Sequence, residues 1–252
     1  MATDRMLTVE EAQQIVLDSV LILGEERVPL SQSLGRVLAE DVAPKYDIPP
    51  HNNSSVDGYA VQAEDTNHAS PASPCRLEVL EEIPAGMVPV HQIAPGKTSR
   101  IMTGAVIPAG ASAVVMVENT VTEGHHVQIL KPVRSGQNVR YRGEDVKTGQ
   151  TVLSTGSELG PGEIGLLASF QRSFISVMRQ PTVSILSTGD EVVDIDQALT
   201  PGKIVNSNSY SLAALVKEAG GRPVSLNIAR DTEAEIRSAI QSALHADVIL
   251  ST

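Results

Sequence analysis

Apolar positions recur at helical spacing near the start of the chain. Thr8-Val-Glu-Glu11 has the form of a capping box, and Ala12, Ile15, Val16 and Val20 follow on one face, so a first helix is predicted over residues 9–21. Val28 to Leu30, a polar turn over 31–35 and the run 36–42 predict a short strand, a turn and another short element, and Pro44, Pro49 and Pro50 mark a boundary. From Asp57 to about Leu153 the rhythm changes to short β-branched runs, such as Val114-Val-Met-Val117 and Val127-Gln-Ile-Leu130, broken frequently by Pro and Gly. This stretch is expected to be all-β.

The last third alternates differently. Thr182-Val-Ser-Ile-Leu-Ser187, Val224-Ser-Leu-Asn-Ile228 and Asp247-Val-Ile-Leu-Ser-Thr252 read as strands. Between the first two, Leu212, Leu215, Val216 and Ala219 form one helical face that closes on Gly220-Gly221, a C-cap signal. Between the last two, Thr232 and Glu235 make a second capping box ahead of the stripe Ile236, Ala239, Ile240, Ala243 and Leu244. Strand, helix, strand, helix, strand predicts a parallel sheet. Open parallel sheets bind ligands beyond the carboxyl ends of their strands. The third strand runs to Thr252, where the next such loop would begin, so the chain is expected to be the front part of a longer protein.

Composition narrows the function classes. The 252 residues carry 19 basic against 30 acidic side chains, a net charge of −11, with four Tyr, two Phe and no Trp. So few rings and so much negative charge argue against nucleic acid as a partner. The single cysteine, Cys75, leaves no disulfide framework or multi-cysteine zinc site and reads as packing filler. Met1 to Leu7 carries Asp4 and Arg5 and no apolar leader core, which predicts a cytoplasmic protein. The longest uncharged apolar stretch, 101–117, contains Gly104, Pro108 and Gly110 and is shorter than the ~20 residues of a membrane span, so no span is expected.

The common nucleotide-binding, zinc-protease and nucleophile-elbow motifs are absent. What recurs is an acid beside glycine or at a helix entry: Asp57-Gly58, Gly143-Glu144-Asp145, Gly189-Asp190-Glu191 and Arg230-Asp231. Turn chemistry and capping account for each singly. Alternatively, carboxylates at loop tips gather around hydrated magnesium and a phosphorylated ligand. His125-His126 after Glu123-Gly124 reads as a solvated hairpin tip. The basic group Lys131, Arg134, Arg140 and Arg142 is either an anion site or a solvated face.

Seven segments in this order resemble the molybdopterin molybdenumtransferase family, which includes MoeA and the E domain of gephyrin. They are Ser33-Leu-Gly-Arg-Val-Leu-Ala-Glu-Asp-Val42, Asn53-Ser-Ser-Val-Asp-Gly-Tyr-Ala-Val61, Arg100-Ile-Met-Thr-Gly-Ala105 and Pro108-Ala-Gly-Ala-Ser-Ala-Val-Val-Met-Val-Glu118. Ser135-Gly-Gln-Asn-Val-Arg-Tyr-Arg-Gly-Glu-Asp145, Gly162-Glu-Ile-Gly-Leu-Leu-Ala168 and Ser187-Thr-Gly-Asp-Glu191 complete the set.

The resemblance implies a mixed α/β and β fold. A helical segment over 1–24 would pack on the α/β domain, residues 25–43 and 150–180 would form a small mixed domain, and an all-β domain over 44–149 would be inserted in it. Residues 181–252 would begin a parallel-sheet, molybdopterin-binding-like α/β domain.

The implied activity is Mg²⁺-dependent insertion of molybdenum from molybdate into adenylylated molybdopterin, with release of AMP. The implied partners are a second copy in a homodimer, a molybdopterin adenylyltransferase and the molybdoenzymes that accept the product. A gephyrin-type scaffold, an inactive truncated form and a tungstate-handling relative are the alternatives. By similarity the catalytic positions are Asp57, Thr103, Asp145, Glu191 and Asp231. Ser187, Thr188, Gly189 and Asp190 would bind the cofactor, and Glu191 and Asp231 the metal. The cleft is expected between Asp57 and Thr103 of one subunit and Glu191 and Asp231 of the other. The chain departs from the family at His51 and Asn52, where an aromatic residue and then Asp are frequent, and at Asn206, where Asp is common.

Overall fold

The computed structural model describes residues 6–252. The leader-free start read from Met1 to Leu7 therefore lies, in its first five residues, outside the described residues. Helix α1 (Val9–Ser19) begins as its capping box requires: Thr8 Oγ1 accepts the Glu11 N–H at 3.2 Å, and Glu11 Oε2 accepts the Thr8 N–H at 3.0 Å. It stops two residues before the predicted end, because Val20 takes an extended backbone and no C-cap glycine follows at once. None of its residues is buried.

Contacts divide the chain into two compact units: residues up to Asp41 together with Ser154–Thr252, and Val42–Leu153. In the first, β1 (Glu25–Pro29) precedes a single 3-10 turn at Leu30–Gln32, where a polar turn was predicted. The run 36–42 forms only isolated bridges instead of a full element.

The second unit holds β2 (Asn53–Ser54), β3 (Gly58–Val61), β4 (Cys75–Ile83), β5 (Lys97–Ile101), β6 (Ala113–Met116), β7 (Thr120–Glu123), β8 (His126–Ile129) and β9 (Val139–Arg140). Six of these make one sheet in the order β6-β3-β5-β4-β8-β7, and β2 pairs with β9. No α-helix occurs between residues 42 and 153, as the short β-branched runs predicted. Side chains alternate between faces along each strand. Tyr59, Val61 and Val115 join Leu77, Val127 and Ile129 in one core cluster, while Ala60 and Val114 join Ile83 and Ile101 in another. At Gly58 the strands come so close that a Cβ would lie 1.9 Å from the Val115 carbonyl oxygen, so only glycine permits this β3–β6 pairing. Cys75 packs in β4 with its Sγ–H donating to the Asp65 carbonyl, and burial, with Asp65 nearby, pushes its thiol up. His125 sits in the turn of the β7–β8 hairpin, beside Gly124 at positive φ.

Back in the first unit, α2 (Pro161–Ser169) has Pro161 in its first turn and Glu163 accepting the Gly160 N–H at 3.0 Å. Its glycines hide it from periodicity. Strand β10 (Phe174–Met178) pairs antiparallel with β1. Arg36, nearly buried, donates to Glu26 at 2.6 Å and to the Met178 carbonyl at 2.7 Å, tying the chain after β1 to this pair.

Next come β11 (Thr182–Leu186), the short pair β12 (Val192–Val193) and β13 (Ile204–Val205), α3 (Ser207–Glu218), β14 (Arg222–Ser225), α4 (Glu233–Ala243) and β15 (Val248–Ser251). β11 lies between β14 and β15, parallel to both. The mixed α/β and β fold class is thus observed. Strand β14 starts two residues before the run predicted at 224–228 and ends at Ser225, so Leu226 to Arg230 form a loop instead. Among the described residues no helix is long and apolar enough to cross a membrane.

Candidate functional site

A cleft of about 880 Å³ opens at the carboxyl end of β11 and β14, where a parallel sheet offers its binding loops. Its walls come from four places. The turn after β11 supplies Gly189 and Asp190, the β12–β13 excursion supplies Asp194 and Lys203, and the loop after β14 supplies Asn227 and Arg230. The start of α3 brings Asn206, Ser209 and Tyr210.

The floor is a buried polar network. Ser187, 2% exposed, donates its hydroxyl to Asn206 Oδ1 at 3.2 Å and lies 2.8 Å from Ser209 Oγ and 3.2 Å from Thr252 Oγ1. Asn206 is also the N-cap of α3, accepting the Ser209 N–H, and its own N–H bonds to the Val193 carbonyl. One residue thereby joins sheet, excursion and helix.

Gly189 has φ +139°, a conformation open essentially to glycine alone, and a Cβ there would meet the Glu191 carboxylate at 2.9 Å and Val192 at 2.8 Å. Thr188 and Gly189 run beside Ala229, with the Gly189 N–H donating to its carbonyl. That pairing brings Asp231 to the same turn, where its Oδ2 accepts the Asp190 N–H at 3.4 Å. The Lys203 ammonium donates to the Asp190 carbonyl, and the Tyr210 hydroxyl to Asp194 Oδ1 at 2.9 Å, which pushes the phenol up.

Of the positions singled out by similarity, Ser187, Thr188, Gly189, Asp190, Glu191 and Asp231 therefore gather in and around one turn system. Gly189 and Asp190 line the cleft, Ser187 lies under it, and Glu191 and Asp231 stand beside it, exposed. Among the described residues no group of three or more His, Cys, Asp or Glu side chains is placed to hold a metal.

Asp57, Thr103 and Asp145 belong to the other unit. Asp57, in the turn before β3, accepts both the N–H and the hydroxyl of Thr103 on one oxygen, each at 2.7 Å. The Thr103 hydroxyl first, then its N–H, hold the Asp57 carboxyl below its ordinary range. Asp145 is paired separately, with Arg140 at 2.6 Å.

The basic group at 131–142 is in part consumed this way. Arg140 binds Asp145, and Arg142 binds Asp47 at 2.6 Å. Asp47, which sequence reasoning missed, also accepts the N–H and hydroxyl of Thr148 at 2.8 Å, and its carboxyl is pushed down to about 2. Missed as well were Lys203, Ser209 and Tyr210, which carry no motif; only the N-cap pattern of Asn206 with Ser209 could have pointed to them.

Against known proteins, the family model "MoeA N-terminal region (domain I and II)" matches residues 7–170, and "Probable molybdopterin binding domain" matches residues 184–252. The chain belongs to the MoeA family.

Among its MoeA relatives is a molybdopterin molybdenumtransferase of Nostoc sp., 39% identical over 98% of this chain and 58% of that protein. Molybdopterin molybdenumtransferase 2 of Mycobacterium tuberculosis is 38% identical over 98% of this chain and 61% of its own length. The chain thus spans about three fifths of the length of these relatives. A crystal structure of the molybdopterin biosynthesis MoeA protein from Pyrococcus horikoshii superimposes with a TM-score of 0.91 at 37% identity, covering 98% of this chain and 66% of that one.

Proposed function

We propose that this chain acts in molybdenum cofactor biosynthesis as part of a molybdopterin molybdenumtransferase. The reaction would insert molybdenum from molybdate into adenylylated molybdopterin, with release of AMP. The observation that carries this reading is the cleft at the carboxyl end of the parallel strands in a MoeA-family chain. Lys203 and Arg230 line it together with Asp190, and the exposed carboxylates of Glu191 and Asp231 stand beside it.

A phosphorylated ligand calls for this pairing: cations for the phosphate, and acids placed for a metal that the phosphate shares. Glu191 and Asp231 would hold Mg²⁺. Their number fits that ion, which takes one or two carboxylates and keeps phosphate oxygens and water for the rest of its shell, so the lack of a three-acid cluster is no obstacle. When bound, Mg²⁺ neutralises charge developing on the adenylate phosphate.

The chain's own groups do the remainder. Lys203 and Arg230 attract the anion, Ser187 and Asn206 hold the cleft floor in one geometry, and Gly189 keeps the turn backbone close enough for the ligand to approach. Asp57, its carboxylate fixed by Thr103, would act across the dimer, from one subunit on the cleft of the other, to orient an attacking water or oxyanion, and Asp145, held by Arg140, would support the same step. The working species is a cytoplasmic homodimer, supplied by a molybdopterin adenylyltransferase and discharging to molybdoenzymes.

The test is turnover of adenylylated molybdopterin by the full-length enzyme. Asp57→Asn and Glu191→Gln are each expected to lower it at least 10-fold, and Glu191→Gln to raise the Mg²⁺ requirement. Unchanged turnover in Asp57→Asn would remove that residue from the mechanism.

A further inference from the structure

Asp145 sits in a loop whose two ends meet on one side chain. Asp47 Oδ2 accepts the Arg142 Nε–H at 2.6 Å, and Asp47 Oδ1 accepts both the N–H and the hydroxyl of Thr148, each at 2.8 Å. A single carboxylate thus closes residues 142–148 into a ring, reaching them across 95 and 101 residues of chain. The backbone that follows Asp47 holds the ring from inside. The Ile48 carbonyl accepts the N–H of Asp145 at 3.0 Å and that of Val146 at 3.1 Å, and the Pro49 carbonyl accepts the Gly143 N–H at 3.0 Å. Asp145 gives its own carboxylate to Arg140, which stands on β9 opposite Asn53 of β2. Strand pairing therefore sets the place of Arg140, while the closed loop sets the place of Asp145.

We infer that Asp47 is a positioning residue for Asp145: each of its oxygens holds one end of the 142–148 loop, so that the Asp145 carboxylate stands fixed against Arg140 and faces the reacting ligand in one direction. The inference deepens the functional reading above and rests on the role given there to Asp145. A loop that only connects two elements is ordinarily left mobile, whereas a group that has to meet a reacting atom must be held by supporting side chains to within about 0.5 Å. Bonds to an ionised acceptor are the strong kind for that purpose. The Thr148 N–H first, then its hydroxyl and Arg142, keep the Asp47 carboxyl at about 2, so both oxygens stay acceptors at neutral pH.

Asp47→Asn isolates the role. A carboxamide has one oxygen where the clamp uses two, so it can serve Thr148 or Arg142 but not both, and one end of the loop opens. Thr148→Val loosens the other end more gently, removing the hydroxyl and keeping the N–H. Thr66→Val is the control for lost stability alone. The Thr66 hydroxyl, buried in the same unit, donates to the Ala63 carbonyl at 2.8 Å and accepts the Val133 N–H at 3.1 Å, bonds that lie outside the 142–148 loop. Turnover of adenylylated molybdopterin by the full-length enzyme is measured near neutral pH, at a temperature where every variant is folded, and the Asp145 carboxyl ¹³C shift is read in the 252-residue chain. Asp145→Asn turnover is the reference.

Asp47→Asn is expected to lower kcat at least 10-fold with KM within about 2-fold, and Thr148→Val to lower kcat about 3-fold, because misplacement by a fraction of an ångström acts on the reacting geometry. Both should move the Asp145 shift, while Thr66→Val lowers Tm and moves neither. If Asp47→Asn melts lower but keeps either kcat or the Asp145 shift at wild type, and Asp145→Asn is impaired, the inference is overturned and the functional reading stands. If Asp145→Asn itself turns over normally, the role given to Asp145 falls and the inference falls with it.

Discussion

Thr103 gives both of its donors, backbone and side chain, to a single oxygen of Asp57, each at 2.7 Å, across 46 residues of chain. A carboxylate held this way is fixed in direction and in charge, and its second oxygen remains for another partner. Replacing Thr103 by Val removes the hydroxyl, the larger cause of the lowered Asp57 pKa, and keeps the N–H. The Asp57 pKa, read from carboxyl ¹³C shifts, is expected to rise in the variant but stay below its ordinary value; an unmoved pKa would show that the hydroxyl bond is absent in solution.

Asp47 sets a pH dependence. Its carboxyl lies at about 2 in the fold against an ordinary 3.8, with the Thr148 N–H as the largest cause, then the Thr148 hydroxyl and Arg142. A depressed folded value means that the ionised form is favoured by folding. The stabilisation is complete above the ordinary value and is lost as pH falls through 3.8 towards 2. Melting of Asp47→Asn, followed by circular dichroism, is expected below wild type at pH 6, with the gap closing near pH 2; Asp57 and Asp247 shift in the same direction.

Gly58 is required by space rather than by φ. A methyl group would stand 1.9 Å from the Val115 carbonyl oxygen and 2.9 Å from its carbon, so Gly58→Ala has to part β3 from the edge strand β6. Overpacking against backbone, which cannot swing away, is expected to cost about 3 kcal/mol, the upper end of the usual range. Urea denaturation checks this, and a loss below about 1 kcal/mol would mean that the strands part easily.

Gly189 is required by both. Its φ of +139° and the crowding by Glu191 and Val192 make Gly189→Ala a strained substitution, costing about 1–3 kcal/mol and displacing the cleft wall. The variant is expected to melt lower and to bind pyrophosphate at least 5-fold more weakly. Amide protection in β11 should persist, because the core positions Ile185 and Leu186 are untouched.

Much of the fold is legible in local pattern. The capping box at Thr8 and the N-cap at Thr232 start α1 and α4 where the sequence places them, but the second box is only half formed: Glu235 donates its N–H to Thr232 Oγ1 at 3.3 Å, while its carboxylate accepts the Arg230 N–H at 3.1 Å instead of the Thr232 N–H. The alternation of strand and helix after Thr182 gives the parallel sheet. The misses share a physical cause. Helix α2 is short, and its glycines blur the 3.6-residue period. Strand β14 is shifted because its end is set by pairing with β11 and not by its own apolar run. Lys203 and Tyr210 lie in an ordinary-looking stretch, and nothing marks them until β12 and β13 fold the excursion against α3.

The sequence by itself determined the elements that need only neighbours three or four residues away: caps, amphipathic faces, strand alternation and glycine turns. It also carried the ordered segments by which the chain resembles its family. Tertiary structure decided which of these meet. Ser187 reaches Asn206 across 19 residues and Asp47 reaches Thr148 across 101, bonds that exist only once the sheets have formed. A hydrogen bond needs its two groups within about 3 Å, and spacing along a chain fixes that distance only within a turn or a helix.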